Sequence, residues 1–195
     1  MKKLLGILVL GLFLITSSQA DDIRDFQIEG MSVGDSLLDY FSEEEINNGK
    51  EYRKQAGENK KYAIFNLSNV KNYDKANVAF KDSDSKFKIA VVSGYIWFDN
   101  DIKGCLKKRE EILSEIKSLF SNLKIQDDGK SRHKFDNKSF TYTTYFLFPG
   151  EFPQDHILVS CYDWSEDLEY QDHFRIGITT SEYMKWLYEV AGKKL

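Results

Sequence analysis

Residues 101–123, DIKGCLKKREEILSEIKSLFSNL, contain the clearest helical pattern in the chain. The apolar side chains recur three or four positions apart, or at sums of these spacings: Ile102, Cys105, Ile112, Ile116, Leu119 and Leu123. With charged residues filling the positions between them, this spacing predicts an amphipathic helix. Asn100 or Asp101 is suited to cap its first turn, because a short polar side chain can accept a hydrogen bond from a free amide there.

Six runs rich in aromatic and β-branched residues flank this helix, three on each side. They lie at 62–67, 76–81, 87–98, 140–148, 157–162 and 174–179. Asp82-Ser83-Asp84-Ser85 predicts a hairpin turn between the second and third runs, since these residue types favour tight turns. The six runs are therefore predicted to be antiparallel strands.

Two shorter helices are predicted at the ends of this pattern. Ser42 and Glu45 have the spacing of a capping box, and Thr180 or Ser181 is suited to start a last helix. The predicted order is α-βββ-α-βββ-α, which repeats the same elements in two halves. We therefore expect an α+β fold in which an antiparallel sheet has its helices on one face.

The first 20 residues have the composition of a signal peptide. Lys2 and Lys3 precede an apolar run at 4–15, and Ser18 and Ala20 provide small residues before a cleavage point. Removal of 20 residues from 195 would leave a mature chain of 175 residues, 21–195, which we expect to form a single α+β domain. Localisation is then expected to be periplasmic or secreted.

The charge and composition exclude several classes of function. The chain has 27 basic and 31 acidic residues, a net charge of −4, and loss of Lys2 and Lys3 would change this to −6. An acidic surface repels phosphate backbones, so we expect no nucleic-acid partner. An aromatic content of 14 % is too high for a disordered chain, and the mature chain has no run long enough to span a membrane.

Cys105 and Cys161 are the only two cysteines. In an oxidising compartment such a pair predicts a disulfide, which here would join the first turn of the long helix to a strand. Closure of a loop of this length stabilises a fold by about 4 kcal/mol in the chain-entropy model. Two buried free thiols are the alternative interpretation.

Gly34-Asp35-Ser36-Leu37 has the letters of the GDSL esterase signature, in which the serine is the nucleophile. Such an enzyme also needs a histidine that follows an aspartate by three positions, but Pro153 precedes His156 at that spacing. A hydrolase around Ser36 is therefore an alternative only, and we expect Ser36 to lie near a helix start. A second alternative is an enzyme assembled from the distant residues Ser36, Asp163 and His173.

Metal and cofactor motifs are incomplete. Residues 99–110 resemble a calcium loop, but Lys103 places a cation where a ligand oxygen belongs, so an acidic helix start is the favoured interpretation. His156 and His173 end two copies of Gln-Asp-His, and we expect both, like His133, to be solvated loop residues. We predict no metal, no cofactor and no catalytic set.

The segment 161–167, CYDWSED, is the best candidate for binding. Aromatic rings alternate with carboxylates at the end of a predicted strand, so Asp163, Trp164 and Glu166 could form a cation- or partner-binding edge. The alternative is a strand end that runs into a polar turn, with Trp164 folded onto the core.

With 26–38, FQIEGMSVGDSLL, and 161–166, CYDWSE, the chain resembles a family of uncharacterised exported proteins of AT-rich marine alphaproteobacteria. That resemblance implies bacterial export and no established activity. Gly30-Met31-Ser32 is also similar to the helix start of small BamE/SmpA-type envelope proteins, although the lipid-bearing cysteine is missing. We expect a soluble exported binding or interaction module whose partner is an envelope protein or a small ligand.

Overall fold

The computed structural model describes residues 22–191 except Phe135, so the predicted signal peptide lies outside the described residues. In the described part, eight antiparallel strands form one sheet and three α-helices accompany it, which confirms the α+β class. The strands are β1 (Lys50–Glu51), β2 (Tyr62–Asn66), β3 (Lys75–Lys81), β4 (Ile89–Trp97), β5 (Lys124–Arg132), β6 (Phe140–Leu147), β7 (His156–Asp163) and β8 (His173–Thr179).

The strand order is β1-β2-β3-β4-β8-β7-β6-β5. Each strand pairs with its neighbour in sequence, except that β4 pairs with β8 at the centre, where Gly94 lies opposite Ile176. The predicted hairpin at 82–85 is confirmed, because β3 and β4 pair antiparallel across it. Two consecutive meanders are thus joined through their last strands.

The helices are α1 (Glu43–Gly49), α2 (Ile102–Leu119) and α3 (Ser181–Ala191). Asp101 caps α2 by accepting a hydrogen bond from the Gly104 amide at 2.9 Å, and Ser42 and Glu45 form the predicted capping box of α1. The helix α2 ends at Leu119 rather than at 123, because Phe120 leaves helical geometry and its amide closes the last turn on the Ile116 carbonyl. No helix between residues 22 and 191 combines the length and apolarity that a membrane crossing needs.

The predicted order α-βββ-α-βββ-α is wrong by one strand in each half. Besides the predicted runs the sheet contains β1, of two residues, and β5, of nine. Both are edge strands, and β5 is exposed along almost its whole length. Polar residues therefore occur on both of its faces. An edge strand without a buried face has no alternating pattern to detect.

One face of the sheet, the first face, is covered from β2 across to β6, and only the edge strand β5 stays exposed there. The helix α2 follows β4 and packs across β7 and β8, while the segment 22–49 packs over β2, β3 and the start of β4. Together they form one large buried cluster, which includes Ile28, Leu37, Ile112 and Ile116.

The prediction that the helices share one face is also wrong. Val92 belongs to the cluster under α2, whereas its neighbour Val91 packs with Tyr183 and Trp186 of α3, and neighbouring residues of a strand point to opposite faces. The helix α3 follows β8 but crosses back over β2–β4, so it covers only that half of the second face. We call the remaining part, the second-face side of β6, β7 and β8, the open quadrant.

The predicted disulfide is confirmed. Cys105 in the first turn of α2 is bonded to Cys161 of β7, with 6.0 Å between their Cα atoms, and both residues are fully buried. The bond fixes α2 over β7 and β8, so the first face is closed covalently as well as by packing.

Candidate functional site

A cavity of about 440 Å³ lies on the open quadrant. Thr143, Leu158 and Arg175, from β6, β7 and β8, line it, as do residues 131–134 at the end of the β5 strand. The side chains of α3 close it on the side of the covered half. The cavity therefore exists because α3 crosses the sheet without reaching these strands.

Arg175 occupies the middle of β8, a central strand, and points into this cavity. Its Nη2 donates a long hydrogen bond, 3.4 Å, to the Ser93 hydroxyl, and Tyr162 is a second hydroxyl partner, but its buried Nε has no partner. The guanidinium lies 5.8 Å from the ring centre of Tyr95. Within residues 22–191 no carboxylate forms an ion pair with it, which is uncommon for an arginine in a sheet interior.

The surroundings of Arg175 keep it charged. Burial alone would lower the pKa of Arg175, but the hydroxyl oxygens of Tyr95 and Tyr162 outweigh it and hold the pKa above its ordinary value. Conversely, burial would raise the pKa of Tyr95, and the nearby guanidinium outweighs it and lowers that pKa. Arg175 is thus a permanent cation beside the oxygens of two tyrosines.

The rest of the cavity is also basic. Arg53 and Lys134 line it together with Arg175, and Asp128 is the one carboxylate among its lining residues. Arg53 is positioned by a 2.8 Å hydrogen bond from its Nε to the Tyr183 hydroxyl of α3. This cationic surface contrasts with the net charge of −4 of the whole chain, so an anion is attracted here rather than elsewhere.

The two Gln-Asp-His tripeptides have the same local structure. His156 begins β7 and His173 begins β8, and the Nδ1 of each lies 3.0–3.1 Å from the carbonyl oxygen of the glutamine two residues earlier. The prediction of solvated loop histidines is therefore wrong for this pair. His156 is only 7 % exposed, because strand pairing directs it onto the second face.

Titrating groups around the cavity favour their neutral forms. Burial, with a smaller contribution from Arg175, lowers the pKa of both His156 and His173. Burial also raises the pKa of Tyr145 to about 12. Near neutral pH these side chains offer uncharged hydrogen-bonding groups around one fixed cation.

A second cavity, of about 420 Å³, adjoins the first at the end of the sheet where β4 ends and β8 begins. Its aromatic side chains are Trp97, Trp164, Tyr170 and His173. Trp164 packs 4.8 Å from Tyr170, and its indole Nε1 donates to the His173 ring at 3.3 Å. We call this the aromatic cavity.

The structure separates the three residues that were predicted to bind. Trp164 lines the aromatic cavity, and its amide donates to the buried carboxylate of Asp172 at 2.8 Å. Asp163 ends β7 and, by alternation with Tyr162, points to the other face, while Glu166 is exposed in the following turn. Their common role as a binding edge stays a prediction.

The fold does not bring Ser36 and His173, two residues of the enzyme alternative, close together. Ser36 lies directly before the short 3₁₀ helix Leu37–Asp39, near a helix start as expected, and its hydroxyl donates to the Lys86 carbonyl at 2.7 Å. Ser36 is bridged to Lys88 before the start of β4, whereas His173 lies opposite Trp97 at the other end of that strand. Nine strand residues separate these points by roughly 30 Å.

The calcium-like segment serves as a helix start. Asp101 caps α2, and Asp99 accepts a hydrogen bond from the Gln171 side chain at 3.0 Å. Across the described part of the chain, no group of three or more histidine, cysteine, aspartate or glutamate residues is placed to hold a metal ion.

Sequence reasoning missed Arg175, the central residue of the site. A signal was present in 173–179, HFRIGIT, where Phe174, Ile176 and Ile178 alternate with other residues. That alternation puts Arg175 on the opposite face of a central strand, where an arginine is unusual.

Comparisons of the chain with protein-family models, with curated proteins and with solved structures found no match. The two resemblances described above therefore stay predictions. The site has to be interpreted from its own chemistry.

Proposed function

We propose that this protein is an exported binding module whose open quadrant binds a small ligand that carries a carboxylate or phosphate group. The observation that carries the proposal is Arg175, a half-buried cation on a central strand that faces a cavity without a carboxylate partner among the described residues and whose Nε is fully buried. A charge that is partly removed from water without a counter-ion costs stability, so its presence is best explained by a function.

The chemistry around Arg175 supports an anion as the ligand. A guanidinium offers donors in a planar fork that matches a carboxylate or a phosphate. Arg53 and Lys134 add positive charge at the same cavity, and Thr143 and Tyr145 add hydroxyl groups. The shared chemistry is thus an anionic group that is partly enclosed and hydrogen-bonded.

The proposal is tested by thermal unfolding with sodium phosphate, sodium sulfate and sodium citrate, each at constant ionic strength against sodium chloride. We expect at least one of these anions to raise the Tm of the wild-type chain, because a ligand that binds only the folded state stabilises it. The same anion should not raise the Tm of Arg175→Met.

Arg109→Met is the matched control, since Arg109 is also an arginine with a buried Nε but belongs to α2, on the first face. Arg109→Met should keep the anion-dependent rise even if its own Tm is lower. The proposal is overturned if none of the three anions exceeds the effect of chloride, or if Arg175→Met responds as the wild type does.

A further inference from the structure

The cavity that contains Arg175, which we call the cationic cavity, shares a wall of stacked rings with the aromatic cavity. Tyr162 lines the first cavity and His173 the second, and their rings are parallel, with centroids 4.5 Å apart and an interplanar angle of 14°. Across the same wall His133, from the first cavity, packs 4.6 Å from Trp164, from the second. The two cavities are therefore neighbouring parts of one surface.

The distance between the cavities suits a single ligand. His173 and Arg175 are two residues apart on β8 and point to the same face, which places them about 7 Å apart along the strand. Tyr95 and Trp97 are spaced in the same way on β4, with their rings 6.3 Å apart. An oligomeric ligand that lies along these strands contacts both cavities.

The aromatic cavity offers exposed ring faces with polar groups beside them. Trp97 is 39 % exposed and Tyr170 52 % exposed, which is unusual for large rings that face a cavity. Glu169 and Gln171 provide acceptors and a donor at the same place. Ring faces are electron-rich and attract weakly positive C–H groups, while a carboxylate accepts hydrogen bonds from hydroxyl groups.

These two environments select for a particular kind of ligand. A hydroxylated ring with C–H faces fits the aromatic cavity, and an anionic group fits the cavity of Arg175.

We propose that the two cavities form one composite site for an acidic oligosaccharide, in which a uronic acid carboxylate pairs with Arg175 and a neighbouring sugar ring stacks on Trp97, Trp164 or Tyr170. This inference rests on the proposed function, and it names the ligand class of the same site. Trp97 is its most direct probe, since its ring is exposed and lies outside the cationic cavity.

The test is isothermal titration calorimetry of the whole mature chain with four probes: tetragalacturonate, a mannuronate tetramer, the neutral maltotetraose and inorganic phosphate. We expect at least one acidic tetramer to bind more tightly than both maltotetraose and phosphate. Trp97→Ala should weaken that tetramer about tenfold and leave phosphate unchanged, because only the sugar uses the ring. Arg175→Met should weaken both.

Tyr40→Ala is the matched control, because Tyr40 is 40 % exposed, like Trp97, but lies in the N-terminal segment away from both cavities. Its tetramer affinity should equal that of the wild type. Circular dichroism of each variant checks that the fold is retained.

The outcomes separate the two proposals. If phosphate binds in an Arg175-dependent way but neither acidic tetramer binds more tightly than it does, the composite site is wrong and the anion-binding function stands. The same conclusion follows if Trp97→Ala leaves the tetramer affinity unchanged. If none of the four probes binds, the composite site is overturned, and the anion-binding function falls with it when sulfate and citrate also leave the Tm unchanged.

Discussion

Arg109 and Arg175 lie on opposite faces of the same sheet and differ in the partners of their guanidinium groups. On the first face, Arg109 donates to Asp127 at 3.0 Å, to Thr144 at 2.5 Å and to Glu110 at 2.7 Å, and so ties α2 to β5 and β6. On the second face, Arg175 has hydroxyl partners, Ser93 at 3.4 Å and Tyr162, and no ion pair within the described residues. Both arginines leave a buried Nε without a partner, so the difference lies in their terminal nitrogens.

The comparison extends from the arginines to the faces themselves. The first face is covered by two segments and fastened by the Cys105–Cys161 bond, whereas the second has one helix over half its width. The terminal nitrogens of Arg109 on the first face bond two carboxylates, whereas those of Arg175 on the open quadrant have no carboxylate partner within the described residues. We infer that the first face holds the fold together and that the second face is available for a ligand.

The largest expected effect comes from removing the disulfide bond that holds α2 against the first face. The double variant Cys105→Ala/Cys161→Ala should lose about 4 kcal/mol of unfolding free energy, because the unfolded chain regains the freedom of a long open loop. Urea unfolding monitored by circular dichroism measures the loss. Reduced wild-type chain is the control and should match the variant, and a difference from oxidised wild type below about 1 kcal/mol would contradict the assignment.

The next largest effect is expected when each arginine is replaced by methionine. The two replacements should change the free energy of unfolding in opposite directions. Arg109→Met should lower the free energy of unfolding by about 2 kcal/mol, less than for a fully buried pair, because Asp127 and Glu110 can be resolvated. Arg175→Met should raise it by about 1 kcal/mol, since it removes a buried donor that has no partner. Urea unfolding of both variants at low salt measures these changes; equal destabilisation by both would remove the contrast between the faces.

The smallest expected effect is the pH dependence that the histidines give to the free energy of unfolding. It concerns the second face alone, because all three histidines line the two cavities there. The pKa values of His156 and His173 are lowered in the folded chain, so at acidic pH the unfolded chain takes up protons first. The free energy of unfolding should therefore fall as the pH drops below about 6.5 and be unaffected by these groups above pH 7.5.

His156→Gln isolates this contribution, since glutamine keeps a polar side chain but does not titrate. Between pH 7.5 and pH 5 its Tm should fall less than that of the wild type, while Asp172 and the other carboxylates act equally in both chains. A parallel pH dependence of the two proteins would show that His156 does not resist protonation in the fold.

The features that were predicted correctly from the sequence are those that depend on local patterns. The helix α2 and its Asp101 cap, the Ser42–Glu45 capping box, the six longer buried strands and the disulfide all depend on spacing within short segments or on a count of two cysteines. The edge strand β5 was missed because it buries neither face. The side of the sheet that α3 occupies was missed because it depends on where a connection crosses, which no local spacing records.

The candidate site was predictable only in part, for a related reason. Trp164 was singled out from its segment and does line the aromatic cavity, but Asp163, one residue earlier, points to the other face. Arg175, His156 and Tyr145 each stand alone in sequence and meet only through the pairing of β6, β7 and β8. A site built across strands is visible once the register is known.

The two ends of the strand order have a consequence for how copies of this chain meet. At one edge β1 offers only two residues, and at the other β5 has charged side chains along its length and an irregularity between Asp127 and Gly129. Short, charged or bulged edges are poor templates for another strand, so the sheet resists growing into fibrils or strand-swapped pairs. The protein should therefore stay dispersed at high concentration even though one quarter of its sheet surface is uncovered.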